Sequence, residues 1–256
     1  MADTDIILEG RDITKIYGGV EALNKVTFKL PRNEVVALLG DNGAGKSTLI
    51  KVLSGAISPS SGQVLLEGKP VQMSSTKQAK DLGIETVYQD LALCPHLDPV
   101  NNLFLGREIM RRGLMGALGF MNRRAMREQS IEAFNDLGAT VRTLTEPVGT
   151  MSGGQKQSIA VARASAWASK IIFLDEPTAA LDVVQTHNVL ELIKRVRDKG
   201  IGVVLISHSM PEVLAVSDDI QVMRRGRRVA TYQTADTNIE ELVATMTGKF
   251  DEGVAA

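Results

Sequence analysis

The sequence predicts an α/β fold built on a parallel β-sheet. Short apolar runs rich in Val and Ile, each followed by turn or loop residues, are typical of strands buried on both faces. These runs are Val35–Leu39, Ile84–Tyr88, Ile171–Leu174 and Val203–Ile206. Amphipathic helical patterns lie between them, and strands that alternate with helices favour a layered arrangement. The clearest such helix is Gln185–Lys199, whose apolar face carries Val189, Ile193 and Val196.

Two regions depart from this alternation. Near the N-terminus, Val26, Phe28 and Leu30 alternate with polar residues, which predicts a half-exposed antiparallel strand. Residues 62–71 predict a further strand and turn. Residues from about 90 to 160 show no long Val/Ile strand pattern and predict a helical insertion. It includes a helix over Asn122–Leu137, with Ile131, Phe134 and Leu137 recurring every three residues.

The C-terminal region predicts a hairpin followed by a helix. Ile220–Met223 and Arg228–Tyr232 flank a turn-forming segment. A final helix is expected to start near Thr237, with Glu240 three residues later completing a capping box. Residues 249–256 are expected to form a flexible tail.

Composition narrows the function classes. The chain has 256 residues, 44% of them apolar and 23% charged, enough for a sizeable core in one large domain. The 29 basic and 30 acidic residues give a net charge of −1, which argues against nucleic acid as a partner. The single cysteine, Cys94, fits a reducing compartment. We expect no signal peptide and no transmembrane segment, so any membrane association would be peripheral, through another protein.

A glycine-rich motif follows the first buried strand. Gly40–Ser47 matches the G-x-x-x-x-G-K-[ST] pattern in full and precedes a helix-prone segment. The glycines allow backbone N–H groups to turn inward at the positive end of that helix. Lys46 adds a charge for the β- and γ-phosphates, and Ser47 offers a hydroxyl ligand for Mg²⁺. The motif therefore predicts a nucleoside triphosphate site.

Two carboxylates follow a second buried strand. Asp175 and Glu176 come after the run that starts at Ile171, at the edge where open α/β sheets bind ligands. Asp175 is suited to hold Mg²⁺, and Glu176 is suited to polarise a water molecule toward the γ-phosphate. Such a pair could also simply end a strand in solvent, but the phosphate motif upstream favours the functional interpretation.

A second glycine-rich helix start suggests another anion site. Ser152–Gln155 opens an apparently helical run, although a helix cap at Ser152 followed by two glycines explains the pattern equally well. Two anion sites and one nucleotide motif leave two arrangements open. Either the chain folds both sites onto one nucleotide, or each site serves a nucleotide shared with another copy.

Taken in order, these motifs resemble the ATP-binding subunit of ABC transporters. The resemblance rests on the phosphate loop at 40–48, Gln89 after a strand, Ser152–Gln155, the pair Asp175 and Glu176, Ala180–Asp182, and His208 after a strand. Met151 replaces the leucine usual before Ser-Gly-Gly-Gln. The resemblance covers residues 5–248 as one nucleotide-binding domain. It implies a P-loop NTPase (RecA-like) core with an N-terminal antiparallel β-subdomain and an inserted α-helical subdomain at about 90–160.

The resemblance also implies roles for single residues. ATP would contact Tyr17, which would stack on adenine, and Gly40, Asp41, Asn42, Gly43, Ala44, Gly45, Lys46, Ser47 and Thr48. Mg²⁺ would be held by Ser47, Gln89 and Asp175. Catalysis would involve Glu176, His208 and Gln89. The ATP bound to a second subunit would contact Ser152, Gly153, Gly154, Gln155 and Asp182.

The implied assembly is a head-to-tail homodimer with ATP sandwiched between the phosphate loop of one copy and Ser152–Gln155 of the other. The implied cofactors are ATP and Mg²⁺. Polytopic permease subunits and a periplasmic sugar-binding protein would be partners, at the cytoplasmic face of the inner membrane. Hydrolysis would then open the dimer, because ATP favours the closed state.

Several segments resemble one branch, the bacterial importers of simple sugars of the ribose, xylose, galactose and fructose type. They are Gly40–Ser47, Gly83–Gln89, Asn101–Glu108 and Ile206–Pro211, and the segment after Arg107 through Gly116 most resembles fructose-type members. Other hypotheses are an importer of another solute, an exporter, a soluble ABC-type ATPase acting on DNA or ribosomes, and an ordinary P-loop kinase or GTPase. The soluble class usually carries coiled coils, zinc-binding cysteine pairs or tandem domains. A kinase or GTPase would not need Ser152–Gln155.

Overall fold

The apolar runs of the sequence form a parallel sheet. The computed structural model describes residues 5–139 and 141–248. In chain order the strands and helices are β1 (Ile6–Tyr17), β2 (Val20–Pro31), β3 (Val35–Leu39), α1 (Lys46–Leu53), β4 (Ser61–Leu66), β5 (Lys69–Val71), α2 (Thr76–Asp81), β6 (Ile84–Val87), α3 (Pro99–Leu103), α4 (Leu114–Ala117), α5 (Arg123–Leu137), α6 (Gly153–Trp167), β7 (Ile171–Asp175), α7 (Val183–Asp198), β8 (Gly202–Ile206), α8 (Met210–Val216), β9 (Asp219–Arg224), β10 (Arg227–Gln233) and α9 (Ile239–Thr247).

The main sheet has six strands in the order β10-β9-β3-β8-β7-β6, and all neighbours are parallel except β9 and β10. Its central strands β3 and β8 are buried along their whole length, as their continuous apolar sequences predict. All four predicted parallel strands are confirmed. Because parallel strands end on the same side, the segments after β3, β6, β7 and β8 meet at one edge of the sheet.

A second, antiparallel sheet of order β2-β1-β4-β5 covers one face of the first. The predicted alternation in β2 is confirmed, since Val26, Phe28 and Leu30 are buried and the intervening Thr27 and Lys29 are more exposed. Phe28 packs in one cluster with Phe173 and Val204 of the main sheet. The N-terminal strand β1, which pairs with both β2 and β4, was not expected from the sequence.

Helices α3 to α5 lie in the region predicted as a helical insertion and α6 begins in it, while Asn122, the first residue of the predicted helix, caps α5. The predicted helix is confirmed as α5, but its three-residue apolar spacing does not mark one buried face. Phe134 and Leu137 are buried, but Ile131 is 39% exposed and Ser130 takes the inward position instead. A helix with 3.6 residues per turn rotates a strict three-residue repeat away from the core.

The C-terminal hairpin is confirmed as β9 and β10, joined by a tight turn at Arg225 and Gly226, both with positive φ. The predicted capping box at Thr237 is wrong. Asn238 caps α9 by accepting a hydrogen bond from the Glu241 N–H, so the helix starts one residue later. Within 5–139 and 141–248, every helix is too short or too polar to cross a bilayer. The predicted tail at 249–256 lies outside the described residues.

The turn that leads into the helical region is held by one buried amide. Asn102, in α3, is fully buried; its Oδ1 accepts from the Cys94 N–H at 2.7 Å, and its Nδ2 lies 3.0 Å from the carbonyl oxygens of Cys94 and Leu97. We expect Asn102→Ala to lower the free energy of unfolding by about 3 kcal/mol, because it leaves several buried backbone groups unpaired. The matched variant Asn101→Ala, whose amide bonds only the Asp98 side chain, should cost about 1 kcal/mol or less. Urea unfolding measures both, and equal losses would contradict this role.

Candidate functional site

A cleft of about 660 Å³ opens at the carboxyl edge of the parallel sheet, within the range of small-ligand sites. The predicted residues that line it are Asn42, Gly43, Ala44, Gly45, Lys46, Ser47, Thr48, Gln89, Asp175 and Glu176. The lining that sequence analysis missed comprises Val20, Glu21, Ala22, Ile206, Arg225 and Gly226. Gly40 and Asp41 lie at the start of the same loop.

The loop between β3 and α1 has a backbone that only glycine permits at two positions. Gly40 has φ +153° and Gly45 has φ +100°. A side chain at Gly40 would overlap the carbonyl oxygen of Met223, and a Cβ at Gly45 would lie 2.8 Å from the carbonyl oxygen of Ala22. The loop is therefore held closely against β9 and β2, with Gly45 capping α1.

Lys46 lies inside this loop. Its Nζ donates hydrogen bonds to the carbonyl oxygens of Gly40 at 2.6 Å and Asp41 at 3.0 Å. Burial lowers the pKa of Lys46, and the negative charges of Glu176 and Asp175 act in the opposite direction. The ammonium group is thus fixed beside the N-terminus of α1, where a phosphate group is favoured.

The two carboxylates end β7 beside the last residue of β8. Asp175 lies in register with Ile206, and the Glu176 N–H donates to the Ile206 carbonyl at 3.0 Å while its own φ is +49°. Burial, and then the charge of Glu176, raise the pKa of Asp175. His208 contacts Glu176, with 3.2 Å between Nδ1 and Oε1. The structure therefore brings Lys46, Asp175, Glu176 and His208 into one neighbourhood.

The donor set suits Mg²⁺ that arrives with a nucleotide. Ser47, Gln89 and Asp175 line the cleft together and supply a hydroxyl, an amide and a carboxylate oxygen. In the part of the chain that the structure describes, no cluster of three or more His, Cys, Asp or Glu side chains could hold a metal by itself. Mg²⁺ normally binds through one or two carboxylates plus phosphate oxygens, so these residues fit it.

The second anion motif lies elsewhere on the chain. The Ser152 Oγ accepts from the Gln155 N–H, and the Gln155 side chain accepts from the Ser152 N–H, so the helix cap is confirmed. The Gly154 N–H donates to the Gln185 Oε1 at 2.9 Å, and the Gln185 N–H donates to Asp182. None of the residues 152–155 and 182 lines the cleft. Within one chain, the two predicted anion sites therefore do not share this cleft.

Tyr17 lies beside the cleft rather than in its lining. It ends β1 opposite Val20, which does line the cleft, and its ring is 46% exposed with the Lys15 ammonium 5.2 Å from its centre. Arg225 enters the cleft from the β9–β10 turn, whose Gly226 N–H donates to the Ala44 carbonyl at 3.0 Å. The basic turn was visible in the sequence, but its contact with the phosphate loop depends on the pairing of β3 with β9.

Comparison with protein families and curated proteins gives consistent matches. A family model described as ABC transporter matches residues 23–179. The fructose import ATP-binding protein FrcA of Rhizobium meliloti is 48% identical over 94% of both chains. The xylose/arabinose import ATP-binding protein XylG of Sulfolobus acidocaldarius is 44% identical, also over 94% of both. The ribose import ATP-binding protein RbsA of Yersinia pestis is 40% identical over 95% of this chain but only 46% of its own length.

Solved structures share the fold. A nucleotide-free ATP-binding cassette from an ABC transporter superposes with a TM-score of 0.76 and 26% identity, covering 94% of this chain and 95% of that one. The cbiO1 protein of Clostridium perfringens, part of the ABC transporter complex cbiONQ, gives a TM-score of 0.76 and 26% identity over 98% of this chain and all of that one. The P-loop NTPase fold expected from the sequence is thereby confirmed.

The raised pKa of Asp175 predicts that its ionised carboxylate lowers the free energy of unfolding. Because its pKa is higher in the folded than in the unfolded chain, the ionised carboxylate disfavours folding once pH exceeds the ordinary aspartate value. We expect Asp175→Asn, without Mg²⁺ or nucleotide, to raise the midpoint of thermal unfolding at pH 7 by roughly 1–3 °C, since the group is only half-buried. The gain should shrink as pH falls toward 4. A variant less stable at pH 7, or a gain independent of pH, would contradict this account.

Proposed function

The chain belongs to the ABC transporter family, and from this membership we propose that it is the ATP-hydrolysing subunit of an importer for a simple sugar. The observation that carries the proposal is the match to the fructose import protein at 48% identity across nearly the whole chain, together with a cleft lined by the phosphate loop and both carboxylates. The xylose/arabinose import protein matches over the same extent and supports the same class of solute. Fructose and the pentoses xylose and arabinose are thus the first substrates to test.

In the proposed reaction, water attacks the γ-phosphorus, the bond to the β–γ bridging oxygen breaks, and ADP and phosphate leave. Glu176 accepts the proton of the attacking water. His208 orients Glu176 through the 3.2 Å contact and can also reach toward the phosphate. Lys46 and the N-terminus of α1 stabilise charge on the transferred phosphoryl group.

Binding and metal coordination use the remaining cleft residues. Residues 40–48 hold the phosphates, and Tyr17 at the cleft border stacks on adenine. Ser47, Gln89 and Asp175 would hold Mg²⁺, which would supply positive charge to the nucleotide phosphates. Arg225 adds a positive charge to the cleft, and it is the one arginine among the described residues that line it.

The separation of the two anion sites supports a nucleotide shared between two copies. Ser152–Gln155 and Asp182 lie outside the cleft but are joined to each other through Gln185. In a head-to-tail homodimer this unit would meet the γ-phosphate held by the phosphate loop of the other copy. Hydrolysis then removes the group that bridges the copies, and the dimer opens.

Transport requires partners that carry the solute. We expect permease subunits with membrane-spanning helices, a periplasmic sugar-binding protein, and a position at the cytoplasmic face of the inner membrane. The test is transport by the complex reconstituted with its permease in proteoliposomes. ATP-driven uptake of fructose, ribose, xylose or galactose is the expected result. Uptake of amino acids only, or movement of sugar solely outward, would overturn the sugar-import proposal and leave ATP hydrolysis intact.

Glu176→Gln should lower ATP turnover about 100-fold or more, because an amide cannot accept the proton of water. ATP binding should persist, since the phosphate contacts remain, and an ATP-bound dimer should accumulate. Phosphate release and size-exclusion chromatography with ATP measure the two effects. Glu191→Gln, an exposed carboxylate on α7, is the matched control and should behave as the wild type. Normal turnover in Glu176→Gln would remove this residue from its role.

Ser152→Arg should abolish turnover while leaving ATP binding by a single chain within about twofold, because the residue lies outside the cleft. The arginine adds bulk where the second copy must approach. Ser152→Ala is the control for the loss of the helix cap. It removes the cap, which contributes about 1 kcal/mol to stability, without adding bulk to the surface that the second copy would approach. Fluorescent nucleotide titration and turnover assays measure the outcome. Joint loss of binding and turnover in Ser152→Arg would favour a site within one chain.

A further inference from the structure

A loop between Gln89 and Ser152 along the chain presents apolar side chains to solvent. We name residues 109–122 the apolar loop. Its ends are joined by backbone hydrogen bonds, from the Asn122 N–H to the Ile109 carbonyl at 2.6 Å and from the Arg111 N–H to the Phe120 carbonyl at 2.8 Å. Met110 and Met121 form an antiparallel bridge between them. The tip is the single-turn helix α4.

Glycines fix the shape of this loop. Gly113 and Gly119 flank α4 with φ of +70° and +84°. Gly116 lies inside α4, where a side chain would overlap the carbonyl oxygen of Arg111. Backbone contacts therefore close the loop, and Ile109 and Met121 at its ends pack against the core, whereas its other large apolar side chains do not.

Those side chains remain exposed. Leu118, which follows α4, is four residues from Leu114 and three from Met115, so both lie next to it on the surface of the helical turn. The exposed fractions are 46% for Met110, 78% for Leu114, 49% for Met115, 65% for Leu118 and 52% for Phe120. A contiguous group of this kind on a folded protein marks an interaction surface.

Positive charge surrounds the apolar loop. Residues 107–127 contain six arginines and one carboxylate, Glu108, in a chain whose overall net charge is −1. Glu108 accepts a hydrogen bond from the Gly106 N–H, and Arg107 and Arg124 pair with Glu85 and Glu128. Within 5–139 and 141–248, no ion pair engages the other four arginines, which are Arg111, Arg112, Arg123 and Arg127.

We propose that the apolar loop binds directly to the surface of an anionic phospholipid bilayer. Leu114, Leu118 and Phe120 enter the boundary between headgroups and acyl chains, and the arginines contact the lipid phosphates. An anionic bilayer surface attracts a segment of this composition, because its interior accepts the large apolar side chains and its headgroups attract the basic residues on either side. It adds a lipid contact to the protein-mediated membrane association expected from the sequence.

Two other occupants fit less well. A second copy of this chain would bring the same excess of arginines against the first, so like charges would oppose the contact. A protein partner would need an apolar groove bordered by carboxylates. An anionic bilayer supplies an apolar interior and a layer of negative charge together, which matches the loop on both counts.

The test is flotation of the full chain with vesicles. Vesicles of equal parts phosphatidylcholine and phosphatidylglycerol should carry the protein upward, whereas pure phosphatidylcholine should not, and high salt should weaken the binding. Arg111→Gln with Arg112→Gln should lower the partition coefficient about 30-fold. Leu114→Ser with Leu118→Ser should lower it about tenfold or more.

Matched variants control for general charge and hydrophobicity. Arg227→Gln with Arg228→Gln removes the same charge from exposed β10, and Val229→Ser with Ile239→Ser removes exposed apolar side chains elsewhere. Both should float as the wild type does. Equal losses in loop and control variants, or no binding to the anionic vesicles, would overturn the proposal. Loss of permease co-purification by the loop variants without any vesicle binding would instead assign the loop to a protein partner.

The inference is independent of the proposed function. Lys46→Ala, which alters the phosphate loop, should float normally. The loop variants should keep ATP turnover in solution, because the apolar loop contributes no residue to the lining of the cleft. Failure of the lipid test therefore leaves the ATPase proposal untouched, and failure of the ATPase proposal leaves the lipid test valid.

Discussion

The parallel register of β7 and β8 is the constraint on which the reactive part of this protein depends. It brings Asp175 level with Ile206, and one further backbone hydrogen bond from Glu176 to Ile206 fixes the next residue after the strand ends. The same sheet edge receives the phosphate loop after β3 and Gln89 after β6. Asp175, Glu176 and the phosphate loop, the proposed metal ligand, base and phosphate site, therefore take their relative positions from backbone pairing.

This arrangement places unfavourable features at the site. Lys46 is buried with a lowered pKa, Asp175 has a raised pKa, and Glu176 adopts a positive φ, which costs a non-glycine residue about 1–2 kcal/mol. The apolar sheet beneath supplies the stability that tolerates them. A nucleotide phosphate and Mg²⁺ would offset the same charges, so binding is coupled to relief of electrostatic cost.

Local sequence patterns were sufficient to predict the parallel strands, the phosphate loop and the Ser152 cap, because the conformation of each depends mainly on residues nearby in the chain. The spacing of Ile131, Phe134 and Leu137 predicted the helix but not which of these side chains is buried, because a three-residue spacing follows one helical face only over short distances. β1 was missed because its burial is set by two partner strands. Arg225 could not be assigned to the cleft, because β9 pairs with β3 from about 180 residues away. The roles of individual cleft residues stay predictions, and so do the boundaries of the nucleotide-binding domain at 5–248.

The account depends most on the claim that two copies share each ATP, since one chain keeps Ser152–Gln155 out of its own cleft. The most direct measurement is the ATPase rate per subunit across a wide range of protein concentration, with sedimentation velocity in the presence of ATP at each point. The rate per subunit should rise with concentration and level off where dimers predominate. A rate per subunit that stays at its full value where only monomers sediment would contradict the shared site.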